Sequence, residues 1–125
     1  MLRTLLLGAA MLLSSAAFAE GDPAKGQMAF RKCQACHTLD GKNRVGPTLA
    51  GIVGRRVASV ENFRYSAAMT GYAEDGKVWD AEHLAQFLTA PKATVSGTSM
   101  AFAGIKKPEE LADLIAFLKT VEASD

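Results

Sequence analysis

The run Cys33-Gln34-Ala35-Cys36-His37 constrains this chain more than any other feature of its 125 residues. Two thiols separated by two residues, with an imidazole directly after, match the attachment pattern for c-type haem. The spacing has a chemical reason. On one turn of helix the two sulfurs each reach a vinyl group of the same porphyrin and form thioether bonds. The histidine then lies under the ring, where a nitrogen binds iron. Three other readings use the same atoms. A redox disulfide wants a thioredoxin-like βαβ setting, and no such pattern surrounds the pair. Tetrahedral zinc wants four ligands, and Cys33 and Cys36 are the only cysteines. A structural disulfide suits an exported protein. Neither zinc nor a structural disulfide explains the adjacent histidine.

The start of the chain points to export. Arg3 is the only charge in the first 19 residues, Leu5–Leu13 is apolar apart from Gly8, and Ala17-Phe18-Ala19 is a small-x-small cleavage site. These are the three regions of a secretory signal peptide. The expected division is a signal peptide over 1–19 and one domain over 20–125, located in the periplasm. An uncleaved anchor is the other reading, but the apolar core is short for a bilayer and no second spanning stretch follows. The whole chain carries 14 basic and 13 acidic residues; without Arg3 the two are equal. A neutral domain argues against nucleic-acid binding, which wants a basic field.

Helical patterns alternate with glycine-rich loops, and strand-like alternation is nearly absent, so the fold class is all-α. Asp22-Pro23 is an N-cap followed by proline at the first helical position; this helix runs towards Cys33. A middle helix starts at Asp80, carries Leu84, Phe87 and Leu88 as its apolar stripe, and stops near Pro91. The last helix opens at Pro108-Glu109-Glu110, with acids at the positive end of the dipole. Leu111, Leu114, Ile115 and Leu118 recur along it at helical spacing. A short helical turn follows Ser66. Three or four such helices enclose a thin core. A covalently bound haem would add the rigid apolar body that a small domain lacks.

Iron held by His37 on one face needs a ligand on the other. Met28 shares a helical segment with His37 and reads as core or surface filler. Met69 reads as a buried gap-filler, and His83 as an exposed or rim histidine. Met100 differs. It sits among small residues, Gly97-Thr98-Ser99-Met100-Ala101-Phe102-Ala103-Gly104, where a lone thioether needs something to pack against. Thioether sulfur is a soft ligand suited to haem iron.

With these residues in view, the chain resembles the class I cytochromes c, in the mitochondrial-type branch that includes small bacterial periplasmic proteins. The resemblance runs from about Gly21 to Val121. It rests on Cys33 to Thr38, Gly46-Pro47-Thr48-Leu49, Gly54-Arg55, Tyr65-Ser66, Trp79, Gly97 to Lys107, and Asp113 to Lys119. It implies three to four helices and loops wrapped around one haem c, with Cys33 and Cys36 as thioether sites and His37 and Met100 as axial ligands. It further implies that the Pro47 carbonyl accepts the other ring N–H of His37. Tyr65, Ser66 and Trp79 would hydrogen-bond a buried propionate whose charge Arg55 offsets, and Thr98 would support the methionine loop. Gly26 and Phe30 would pack on Leu114 and Phe117. Phe87 stands where tyrosine is frequent, near the methionine sulfur. Of the lysines familiar around the haem edge, Ser99 and Ala93 replace two, while Lys32, Lys92, Lys106 and Lys107 remain for partner docking.

The implied function is one-electron transfer, not enzymatic catalysis. The implied partners are membrane or periplasmic redox proteins: a cytochrome complex, an oxidase, a peroxidase or a dehydrogenase. A monomer without stable membrane insertion is expected. Two alternatives remain at this level: a haem enzyme or gas sensor with an open iron position, and a dedicated subunit of a dehydrogenase or oxidase.

Overall fold

The computed structural model describes residues 20–124, so the expected signal segment lies outside the described residues. Helix starts follow local capping chemistry. Asp22 caps α1 (Pro23–Ala29), its Oδ1 accepting from Ala24 N at 2.9 Å, and Pro23 occupies a position where no backbone N–H is needed. Ser66 caps α2 (Ala67–Tyr72), accepting from Met69 N at 3.1 Å. Asp80 caps α3 (Ala81–Thr89), accepting from His83 N at 2.8 Å. Pro91 opens the short α4 (Pro91–Thr94). Pro108 opens α5 (Pro108–Lys119), with Glu109 and Glu110 in its first turn.

Two details depart from the sequence expectation. The first helix does not continue as α-helix to Cys33. It tightens after Ala29 into a 3-10 turn over Phe30–Lys32, a common way to satisfy the last carbonyls of a helix. The chain also turns helical again directly after the middle helix. Ala90 leaves the helical region (φ −150°, ψ 77°), as the residue before proline tends to, and α4 then begins at Pro91. Thr94 Oγ1 donates back to Gln86 O at 2.9 Å and ties α4 to α3.

The last helix is the centre of the core. It packs directly on α1 and on α3. Leu111, Leu114, Ile115 and Leu118 are buried along it, in one cluster with Leu84, Phe87 and Leu88 of α3. At the α1–α5 crossing, a Cβ on Gly26 would lie 1.9 Å from Asp113 O. Only glycine lets the backbones meet there. Phe30 and Phe117 pack beside it, their rings tilted by 50° with centroids 5.6 Å apart. Met28, the methionine of α1, is 63 % exposed and belongs to the surface.

Among the described residues there is one isolated antiparallel bridge, Arg56 to Val78. It matters because of what it aligns. Gly54 N donates to Trp79 O and Trp79 N to Arg55 O, each at 2.8 Å. The bridge therefore fixes Arg55 beside Trp79, two residues far apart in sequence. No helix among the described residues is long and apolar enough to cross a membrane.

Candidate functional site

The attachment segment is one helical turn. Cys36 N donates to Cys33 O at 3.2 Å and His37 N to the same carbonyl at 2.9 Å. Both cysteines are half-buried free thiols, not joined to each other. Among the described residues, no cluster of three or more His, Cys, Asp or Glu side chains forms, so zinc has no ligand set at this pair. Burial pushes the Cys33 thiol up to about 11, with Lys32 opposing the shift. The sulfurs open into a cleft of about 230 Å³ whose walls are mostly apolar. Leu84, Phe87 and Leu88 of α3 and Leu114 and Leu118 of α5 form much of that wall.

His37 lines the same cleft, and the chain around it fixes its ring. Nδ1 lies 2.7 Å from Pro47 O, so the ring N–H sits on Nδ1 and the lone pair stays on Nε2. Gly46 lies flat against the imidazole: a Cβ there would come within 2.3 Å of Cε1. Burial lowers the His37 pKa, the Pro47 carbonyl opposes this, and Arg55 adds to it. A neutral imidazole with its second nitrogen free is the form that binds a metal.

Met100 lines the cleft from the far end of the chain. Its backbone N–H donates to Thr98 Oγ1 at 3.2 Å, a local bond that shapes the loop. Gly97 begins the loop with φ +91°, and α2 backs it: a Cβ on Gly97 would meet Ala68 Cβ at 3.3 Å. Met69, read from sequence as a gap-filler, also lines the cleft. His83 lies outside it, with Nδ1 3.0 Å from Val78 O.

A polar corner completes the cleft. Arg55 Nη1 donates to Thr48 O at 2.9 Å and to Ala50 O at 3.1 Å. Its Nε is buried with no partner, an unmet donor on a cation. Such a group requires an acceptor, and the neighbouring residues offer more donors. Tyr65 Oη accepts from Val60 N at 3.0 Å, which leaves the phenol proton free. Ser66 Oγ accepts from Met69 N, which leaves its hydroxyl proton free. Trp79 is buried alongside, its ring 5.2 Å from that of Phe87. Arg55, Tyr65, Ser66 and Trp79 all line the cleft. Two thiols, an oriented imidazole, a thioether, apolar walls and a corner built for a carboxylate fit haem c.

The structure separates the four candidate docking lysines. Lys32 lines the cleft and is ion-paired with Glu110. Lys92, Lys106 and Lys107 are exposed and do not line it; Lys106 Nζ donates to Thr89 O. Sequence reasoning gives Thr48 no role of its own. It is the one buried polar side chain of the core among the described residues, 7 % exposed, and its hydroxyl accepts from both Gly41 N and Ala50 N. A single threonine in a loop carries no periodic signal that would reveal this.

Comparison with known proteins agrees with the geometry. Residues 23–122 match the family model described as Cytochrome c. The chain is 50 % identical over 101 residues to a cytochrome c2 of Agrobacterium tumefaciens, covering 79 % of this chain and 91 % of that protein. It is 47 % identical over 103 residues to cytochrome c-550 of Ancylobacter novellus, covering 81 % and 96 %. The structure of cytochrome cH from Methylobacterium extorquens matches with a TM-score of 0.74 and 44 % identity, over 80 % of this chain and 99 % of that one. The chain belongs to the cytochrome c family, and it is an electron carrier with covalently attached haem c rather than an enzyme.

Proposed function

We propose that Cys33 and Cys36 hold haem c through thioethers, that His37 and Met100 bind its iron, and that the protein passes single electrons between redox proteins of the periplasm and membrane. One observation carries this reading: both thiols, the oriented imidazole and the Met100 thioether line a single apolar cleft. Bound haem supplies an Fe(III)/Fe(II) couple, which a Met/His ligand pair raises in potential. The chain supplies the rest. The Pro47 carbonyl holds His37 in one tautomer. Leu84, Phe87 and Leu88 exclude water and disfavour the more highly charged oxidised form. Arg55, Tyr65, Ser66 and Trp79 provide donors for a carboxylate, which must be paired in a dry site. Residues 1–19 would be removed on export, leaving 20–125 as the mature domain.

An absorption spectrum of the exported, purified protein tests this, oxidised and reduced, with and without carbon monoxide. The expected result is a c-type reduced spectrum, an oxidised band from iron–thioether bonding, and no response to carbon monoxide. Met100→Ala is expected to lose the thioether band and to bind carbon monoxide when reduced. Wild-type protein that binds carbon monoxide readily would remove Met100 from the iron and favour an open haem site. The mass of the same preparation should equal residues 20–125 plus one haem.

Docking is proposed to rest on charge at Lys92, Lys106 and Lys107, which would steer an acidic partner face. Lys32 contributes less because Glu110 neutralises it. Electron exchange with an acidic redox protein should slow as ionic strength rises. A flat salt profile would return these lysines to ordinary solvated surface.

A further inference from the structure

One peptide group in the loop after the attachment segment is gripped from both sides. Its carbonyl, Pro47 O, accepts the ring N–H of His37 at 2.7 Å. Its amide, Thr48 N, donates to Asn43 Oδ1 at 3.0 Å. The other end of the same carboxamide is also committed, since Asn43 Nδ2 donates to Glu61 O at 3.1 Å. The orientation of Asn43 is thereby fixed, with its oxygen on the peptide.

We propose that Asn43 is a positioning residue that tunes His37 through the 47–48 peptide; this deepens the reading of His37 as an iron ligand and rests on it. Hydrogen bonds in a chain polarise one another, by roughly 10–30 % per bond. An acceptor on the N–H of a peptide makes its carbonyl a better acceptor. Pro47 O then draws the His37 Nδ1 proton more strongly, and the opposite nitrogen becomes a more basic ligand. A more basic ligand favours the oxidised iron and lowers the reduction potential. Asn43 does not line the cleft, so it has no direct contact through which to act on the cofactor. The loop does not depend on Asn43 alone, because Thr48 Oγ1 accepts from Gly41 N and Ala50 N, each at 3.1 Å.

The test compares wild-type holoprotein with Asn43→Asp and Asn43→Leu. The readouts are the reduction potential at neutral pH and the proton resonance of His37 Nδ1–H in the reduced, diamagnetic state. Aspartate keeps and strengthens the acceptor on Thr48 N–H but loses the donor to Glu61 O; leucine loses both. The expected result is a lower potential and a downfield Nδ1–H shift for Asn43→Asp, and the opposite movement of both for Asn43→Leu. A charge acting on the iron through space would move the potential and leave the ring proton where it was. An unmoved Nδ1–H in both variants overturns the relay, as do potentials that shift the same way in both. His37 ring protons without the shifts of a haem-bound imidazole would instead overturn the ligand assignment itself.

Discussion

Protein made without attached haem, by Cys33→Ala/Cys36→Ala or by expression without haem attachment, is expected to lose most of its helical structure. The walls of the cleft are also the walls of the core: Leu84, Phe87, Leu88, Leu114 and Leu118 belong to both. Emptying about 230 Å³ between them costs on the order of 5 kcal/mol at about 24 cal/mol per Å³. A domain of this size has roughly 5–15 kcal/mol in total. The short helices depend on the cleft most. α2 has no substantial helix partner among the described residues and meets the rest of the protein through Met69 on the cleft wall, Ala68 beside Gly97, and Tyr72, whose ring lies 5.9 Å from that of Trp79, itself part of the cleft wall. A seven-residue α1 and a six-residue α2 are far too short to persist alone. Far-UV circular dichroism decides the matter. Native helical content in the haem-free chain would mean that the α1–α5 pair and its loops suffice without the prosthetic group.

Gly26→Ala is expected to destabilise the protein strongly at the α1–α5 crossing. The added Cβ would sit 1.9 Å from Asp113 O, 2.5 Å from Asp113 C and 2.7 Å from Phe117 Cβ. Two of these atoms are backbone and cannot rotate away, so α1 and α5 must separate along the contact that anchors the core. Overpacking typically costs about 1–3 kcal/mol, and a collision with helix backbone belongs at the upper end. For a domain of this size about 3 kcal/mol lowers Tm by roughly 12–24 °C. Gly71→Ala provides the control. Gly71 lies in α2, and a Cβ there would meet nothing within 4 Å, so alanine should gain up to about 1 kcal/mol of helix propensity. Thermal unfolding of the reduced holoproteins measures both. Equal midpoints for Gly26→Ala and wild type would show that the crossing has slack which the Gly26–Asp113 approach denies.

Helix starts were legible in the sequence because capping is local. Asp22, Ser66 and Asp80 each accept from a backbone N–H two or three residues on, so the signal and its structural effect share one short segment. Helix ends were less legible. The α-helix of α1 gives way to a 3-10 turn, and α4 forms beyond Pro91, through choices among nearly equivalent local hydrogen bonds that neighbouring packing settles. The surface position of Met28 was likewise open, and Met69, read as a buried gap-filler, lies on the cleft wall. A methionine carries no periodicity of its own, and only the burial of its helix face sorts filler from surface.

The sequence by itself determined the chemistry of one end of the site. Cys33, Cys36 and His37 lie on a single turn, so their relative placement is set by short-range helical geometry and does not wait for the rest of the fold. The tertiary structure alone decided what meets them. Met100 reaches the cleft because α2 backs its loop; Arg55 and Trp79 become neighbours through a bridge between distant segments. Asn43 and Thr48 brace the His37–Pro47 bond from a loop whose hydrogen bonds leave no pattern in the sequence. The physical reason is the range of the forces involved. Spacing along a chain encodes contacts within a turn, whereas convergence across the molecule follows from which apolar surfaces bury one another and which buried polar groups must then find partners.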